Sequence, residues 1–520
     1  MSMMPFGSRS AFVFLIALVG ASCCAPAQST WVHLGAHGKL VYARTAKGDR
    51  IPDFSYAGYE GGGVALPHVA AKRTVAPSGQ DDTAAIQSAI DAVSAMPPVD
   101  GFRGAVELAA GTFHCSGTIA ITASGVVLRG AGAGKDGTTV MMTGAPHLAL
   151  RMAGQLEQKD AGAETAITDA YVPAGAMSFH VADASGFHAG DMLLIEKPVT
   201  AAWVHYMGMD DLHRSGRDEH WVSASHLDVR RRVAAVKGNA ITLDVPLMDD
   251  YDASFFDGGH ADVRKIEVSG QITQVGVEDL RIVAPPQTIA LGQREFSGMQ
   301  VRDVADGWLR GVTWVDTTNG VGVNAGSERI TFEDCAIVQH VAVTSNAKPA
   351  DFAIDGSQIL LDRCTGSGDN TFYVVTQDRQ QGPVVVLHCR FSGNGHIAPH
   401  QRWFTGLLVD SCEVPEGGIS FMNRGEMGSG HGWAIGWAVA WNNTAKTLEM
   451  NQPPGSKIWS IGNIGEEVDP PFPVFDGGPP RAPLPPPEIE SAGKPVKPQS
   501  LYLEQLKERL GARAVKAIGY

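Results

Sequence analysis

At 520 residues, 18% of them charged, the chain is long for one ordinary globular domain, yet no segment offers about 18 uninterrupted apolar residues, so a helix-spanned membrane protein is excluded. A formal net charge of −14 disfavours nucleic acid as a partner. It also gives no general attraction for an acidic polysaccharide, which would need a local basic patch.

Residues 1–27 read as an export signal. Arg9 lies in a polar start, Ala11 to Val19 is a short apolar run, and Ala25-Pro26-Ala27 fits a cleavage site before Gln28. The mature chain is therefore expected to be secreted or periplasmic, and one unit more negative once Arg9 is gone. A lipidated Cys23 or Cys24 is the lesser reading, because Gly20-Ala21-Ser22 lacks a large aliphatic residue. Cys115, Cys335, Cys364, Cys389 and Cys412 remain, an odd number that argues against a disulfide framework.

Residues 28–465 are expected to form one solenoid. Ile86, Ile90 and Val93 recur at helical spacing after Asp81-Asp82, either of which can cap the first turn, and Pro97-Pro98 ends the helix. Short strands then alternate with glycine turns: Gly104 to Leu108, Gly111-Thr112-Phe113, Ile119 to Ile121 and Val126 to Arg129. Asp81 to Ile90, with Gly111-Thr112-Phe113 and Val126-Val127-Leu128-Arg129-Gly130, resembles the opening of the pectate lyase superfamily. The close match covers about residues 78 to 140. What the resemblance implies is an all-β, right-handed parallel β-helix with an N-terminal capping helix, in a carbohydrate-active protein.

Longer β segments at about residues 165–265, such as Met192 to Ile195, read as a small β insertion, with a loop rich in Trp203, His205, Tyr206, Trp221 and His226. The repeats then return. Cys335, Cys364, Cys389, Cys412, Asn443 and Asn463 end similar segments at unequal spacings of 20 to 31 residues, as stacked strands with variable loops require. The four cysteines are expected to form one inward packing ladder, in which an oxidised pair is not needed. Residues 466–499 are rich in proline and glycine and read as a linker. Residues 500–520 read as a short C-terminal helix with Leu501, Leu503, Leu506 and Leu510 available for packing, folding back on the solenoid rather than docking a partner.

Register from the ladder locates the chemistry. His400 and His431 stand the same distance before Cys412 and Asn443, and Arg379 and Arg402 the same distance before Cys389 and Cys412. Each pair is therefore expected on one face of adjacent rungs. Around them lie Asp369, Asn370, Tyr373, Asp378, Gln401, Trp403, Asn423, Arg424 and Glu426. Such a cluster suits β-elimination on a uronic acid, where a cation neutralises the sugar carboxylate and a base takes the α-proton. Arg379, Arg402 and Arg424 would clamp the carboxylate, His400 or His431 would be the base, and Tyr373 an alternative proton carrier. Asp369, Asn370, Gln401, Trp403, Asn423 and Glu426 would bind the substrate, an acidic polysaccharide or oligosaccharide.

Three other readings stand beside this one. The arginines and histidines can serve as structural ion pairs with Asp378, Glu413 and Glu426, with Trp403, Trp433, Trp437 and Trp441 in the core. Gly430-His431-Gly432 resembles the histidine segment of polygalacturonases, which share the fold, but Thr317-Thr318-Asn319-Gly320 lacks the acid of that family's matching segment, and Asp369 with Glu426 is the best remaining carboxylate pair for hydrolysis. A non-catalytic carbohydrate-binding or cell-surface β-helix would instead stack aromatic residues on sugars. Calcium, bound by some lyases of the superfamily, would here find only scattered Asp369, Asp378, Glu413 and Glu416.

Overall fold

The computed structural model describes residues 1, 27–345, 347–475 and 484–520. The expected export signal and the middle of the expected linker lie outside the described residues. The rest is a parallel β-helix with three strands to a turn. In one turn Ser357–Asp362, Thr365–Ser367 and Phe372–Thr376 follow each other, and Gln381–Leu387 then stacks on Ser357–Asp362 with Ile359 opposite Val384. Repetition of this step builds a sheet of 13 strands on one face and a sheet of 17 strands that folds over the other two. The last two faces fuse where Glu413–Phe421 runs round the corner and pairs with both Arg390 and His396.

The interior is filled by residues that recur once per turn, among them Ile330, Ile359, Val384 and Leu407, all 0% exposed. The helix Thr83–Ser94 closes the first turns by burying Ile86, Ile90 and Val93. Asp82 does not cap it through its side chain. Its carboxylate instead accepts the Ser78 and His114 N–H groups, while Asp81 accepts the Thr83 N–H at 3.0 Å.

The inward ladder has a simple chemical basis. Cys335, Cys364, Cys389 and Cys412 donate their thiols to the carbonyls of Leu309, Phe332, Leu361 and Val386, and Asn443 and Asn463 donate their amides to Val409 and Ala440. These six acceptors occupy one column of the sheet. Each corner thus needs a small buried donor reaching the rung before it, and Cys or Asn meets that need. All five described cysteines are buried free thiols.

Between Leu148–Ala153 and Ile272–Glu278 the chain leaves the solenoid and forms a six-stranded antiparallel sheet running from Glu157 to Ser269, with its own core of Phe179, Leu193, Ile195, Val229, Ile241 and Val263. This is wider than the expected 165–265. The first strand, Glu157–Ala166, is mostly exposed, so its sequence shows no apolar alternation. The described parts of 466–499 lie along the solenoid: Ile464–Val468 and Glu488–Glu490 add strands, and the Asn442 amide holds the Val496 and Gln499 carbonyls at 3.0 and 2.9 Å.

The 13-stranded sheet is covered on its outside as well. Leu360, Val385, Leu408, Val439 and Trp459 pack there against the helix Leu501–Leu510 and a group of tryptophans. Asp410 accepts the Ser500 hydroxyl and the Tyr502 N–H at 2.7 and 2.8 Å, fixing where that helix begins. Leu501 and Leu506 are buried as expected, Leu503 is partly covered, and Leu510 is 47% exposed, its place on the packing face taken by Tyr502 and Gln505. Among the described residues no helix is long and apolar enough to cross a membrane.

Candidate functional site

The ends of the third-face strands carry most of the expected site residues. The chain leaves Phe372–Thr376 through Gln377, Asp378 and Arg379, leaves His396–Ile397 through His400, Gln401 and Arg402, and leaves Glu413–Phe421 into a loop ending at His431. Backbone ties set the stacking: the Arg379 N–H reaches the Arg402 carbonyl at 2.9 Å, and the Arg402 N–H reaches that of His431 at 3.0 Å. Both expected pairs of neighbours are therefore together. The His400 and His431 rings meet edge to face with centroids 4.7 Å apart.

Gln377 Oε1 lies 3.3 Å from His400 Nδ1. A carboxamide oxygen can only accept, so this contact puts the proton on Nδ1 and leaves Nε2 with a free lone pair. His431 Nδ1 is buried with no partner among the described residues. Its ring lies where a Cβ on Gly428 would fall 2.0 Å from Nε2, and Gly428 also has φ +65°. Only glycine suits that position. Burial, then Arg424 and Arg402, push His400 down to about 4; burial, His400 and the same arginines push His431 down to about 3. Both rings are neutral near pH 7.

The three arginines differ. Arg402 is committed to its surroundings: Nε donates to the His220 carbonyl, Nη1 to Gln401 and Nη2 to Ser429. Arg379 pairs with Asp378 at 2.9 Å on the rim. Arg424 lies over the Phe372 ring, 5.4 Å from its centroid, and its Nε is buried without a partner. Lys348 stands over the same ring at 5.7 Å, and His400 packs against it at 6.0 Å. Burial lowers the Arg424 pKa and the Glu449 carboxylate partly offsets this by favouring the charged form, and His396 Nδ1 lies 3.0 Å from the Ser420 hydroxyl.

Several expected members are elsewhere. Tyr373 is 0% exposed, stacked on Phe391 at 4.9 Å, with its hydroxyl donating inward to Ser392 at 2.8 Å, so it is a core residue and not a proton carrier. One position along a strand exchanges faces, and Phe372 takes the outward one. Trp403 is 2% exposed, donating to Asp249 of the inserted unit, and Trp433, Trp437 and Trp441 are equally buried. None of these four can stack on a sugar. Glu426 is 2% exposed, with its oxygens accepting the His213 and Phe475 N–H groups, and Asn423 is a buried turn residue accepting the Gly425 N–H. Asp369 and Asn370 are exposed at a corner, tied to Asn394.

The inserted unit roofs this cluster. The Arg217 side chain donates to the Gly428 carbonyl, the His220 N–H to that of Ser429, and Trp221 Nε1 to that of Trp433. Lys348, Phe372, Gln377, His396, Ser420 and Glu449 complete the surface, and the sequence reading did not single them out. Among the described residues no three His, Cys, Asp or Glu side chains converge to hold a metal. The acids that would have to do so are engaged: Asp378 with Arg379, Glu413 with Arg390, and Glu416 and Asp369 with backbone N–H groups. They do not fit a calcium site.

No family profile and no curated protein sequence matches this chain. Among solved structures it is similar to the Gp54 tailspike of Acinetobacter baumannii bacteriophage AP22, solved with A. baumannii capsular saccharide, at 12% identity over 75% of this chain and 69% of that one, TM-score 0.28. The Pseudomonas phage phi297 tailspike gp61 gives 13% identity, coverage of 79% and 73%, and TM-score 0.30. PfbA, a surface adhesin of Streptococcus pneumoniae, gives 11%, 76%, 79% and 0.36 for the same quantities. At such identities and scores the likeness carries no argument about activity.

Proposed function

We propose that the chain is an exported carbohydrate-active β-helix of pectate-lyase type that cleaves a uronic-acid-containing polysaccharide by β-elimination. The observation that carries this reading is a pair of neutral imidazoles packed beside an arginine whose Nε has no partner among the described residues. In the reaction Arg424 and Lys348 neutralise the uronate carboxylate, which makes the adjacent C–H acidic. His400 Nε2, oriented through Gln377, takes that proton, the C–O bond to the leaving sugar breaks as the C=C bond forms, and the departing oxygen keeps that electron pair and takes a proton from solvent. The low pKa of His400 does not oppose this role. Burial is the largest cause of the low value, Arg424 and Arg402 add to it, and a bound carboxylate offsets the Arg424 contribution, so basicity rises when substrate is present. Arg402 serves as a positioning residue that holds the roof.

A hydrolase reading loses its expected carboxylate pair, Asp369 with Glu426, because Glu426 is spent on backbone contacts. A purely adhesive reading would need loop aromatics in place of the buried Trp403, Trp433, Trp437 and Trp441; Tyr206, 42% exposed, is one such residue. The test is the ultraviolet absorbance of unsaturated uronate product from a panel of uronic-acid polysaccharides, with and without calcium. Wild type is expected to give a signal without added calcium, and His400→Ala to reduce it by about 10²–10⁴-fold. Arg424→Lys should raise KM more than it lowers kcat. New reducing ends without that absorbance would mean hydrolysis, and neither signal would leave a binding protein.

A further inference from the structure

The outward column of the third face changes character at the cluster. Arg151, Gln300, Gly322, Ala353 and Val375 are register partners on successive turns. Arg151 and Gln300 are exposed, Gly322 and Ala353 are half-buried, and a Cβ on Gly322 would meet nothing within 4 Å. From Arg151 to Ala353 this is an open floor, three strand spacings or roughly 14 Å long. Val375 joins it to the cluster: it is 2% exposed, its strand begins at Phe372, and Gln377 follows just beyond the strand's end. Further on, the column continues as Ser420 and Glu449, 3% and 8% exposed.

The two directions also differ in charge. Arg151 and, two residues on from Gln300, Arg302 are exposed on the open side, with Arg302 3.5 Å from Asp303. The acids of those turns are spent: Glu295 accepts the Asn319 amide, Asp303 that of Asn324, and Asp355 the Gln377 N–H. On the other side Glu449 is followed by exposed Glu466, Glu467 and Asp469. Residues 469–475 then run back as a strap. Asp469 accepts the Asn451 amide at 3.2 Å, the Pro473 carbonyl accepts the Glu426 N–H at 3.2 Å, and the Phe475 ring lies 4.1 Å from the guanidinium of Arg214 in the inserted unit. Beside Arg424, a Cβ on Gly425 would fall 2.7 Å from this strap. A polyanion held at the cluster therefore has an open, cationic path toward the capping helix and a covered, acidic one toward the last turns. We infer that a uronate polymer lies along the open floor and is held at the cluster by its end, so that bond breakage falls near a chain end. The inference rests on the cluster being a uronate site but not on the elimination chemistry.

Binding stoichiometry tests it. The mature His400→Ala protein, which should bind without cutting, is titrated calorimetrically with short and long fractions of alginate, polygalacturonate and hyaluronan. One protein per chain is expected at both lengths, whereas a site for chain interiors would take up protein in proportion to length. Gly322→Trp, added where the structure leaves open space, should weaken binding about tenfold and leave the melting temperature unchanged. A stoichiometry that grows with length, or an affinity that Gly322→Trp does not change, overturns the inference. Binding to none of the three polymers overturns it together with the uronate reading. One protein per chain, with no ultraviolet product from wild type, would overturn only the elimination chemistry.

Discussion

A histidine that resists protonation makes its surroundings measurable. His400, at about 4, and His431, at about 3, lie well below the value of about 6.5 for a free imidazole, with burial the larger cause and Arg424 and Arg402 behind it. Across that interval the unfolded chain binds protons that the folded chain refuses, so stability rises with pH there. The contribution is complete above pH ~6.5 and is lost as pH falls through ~4 and then ~3. Buried acids act in the opposite sense. Burial pushes Asp250, Asp355 and Asp362 up to about 7 and Asp410 to about 6, so their contribution fades as pH rises through those values. The histidine share is read as a difference between wild type and a His400→Gln/His431→Gln double variant. Wild type is expected to lose stability relative to the variant between pH ~6.5 and ~4, at up to about 1.4 kcal/mol per pH unit for each imidazole titrating. A gap that stays constant in urea titrations over that range would mean that both rings titrate normally.

Among elements, the corner column decides how neighbouring turns lock together. Asn443 accepts the Cys412 N–H at 2.8 Å, donates to Val409 at 2.9 Å and meets Asn463 at 3.0 Å, so Asn443→Ala strands a buried N–H and a buried carbonyl together. Cys389 makes weaker bonds from sulfur to Leu361 and Leu387, at 3.5 and 3.3 Å. Asn443→Ala is expected to cost about 3 kcal/mol and Cys389→Ala about 1 kcal/mol, compared by urea midpoints. Equal costs would show that the column is a matter of volume alone. The same column explains what could be read from sequence. A corner that repeats one chemical need repeats one residue type, and register counted from it brought His400 to His431 and Arg379 to Arg402. Phe372 and His396 escaped because the pairing shifts between Phe372 and Val374, where counting loses its meaning, and Lys348 because it lies outside any strand of the repeat. Trp403 was misassigned for a different reason. Its partner, Asp249, lies 154 residues earlier in a unit that folds back over the solenoid, and no local pattern announces that contact.

Charge over the whole molecule is arranged against the site. The formal net charge is −14, while Arg424, Lys348 and Arg402 gather in one groove and Arg379 stands at its rim. A uronate polymer approaching from a distance meets the acidic body first and the groove only on arrival. Salt distinguishes the two fields, since at 0.1 M ionic strength exposed charges act over only about 10 Å, whereas contacts in a half-buried groove are screened much less. The association rate of a labelled uronate oligosaccharide is therefore expected to rise about two- to fivefold between ~10 and ~150 mM salt and to fall only beyond that. An ordinary cationic binding face would slow association from the first addition of salt. Stopped-flow measurements that show a fall throughout would mean that the groove's own field reaches past the body, and the acidic surface would then have no part in choosing the ligand.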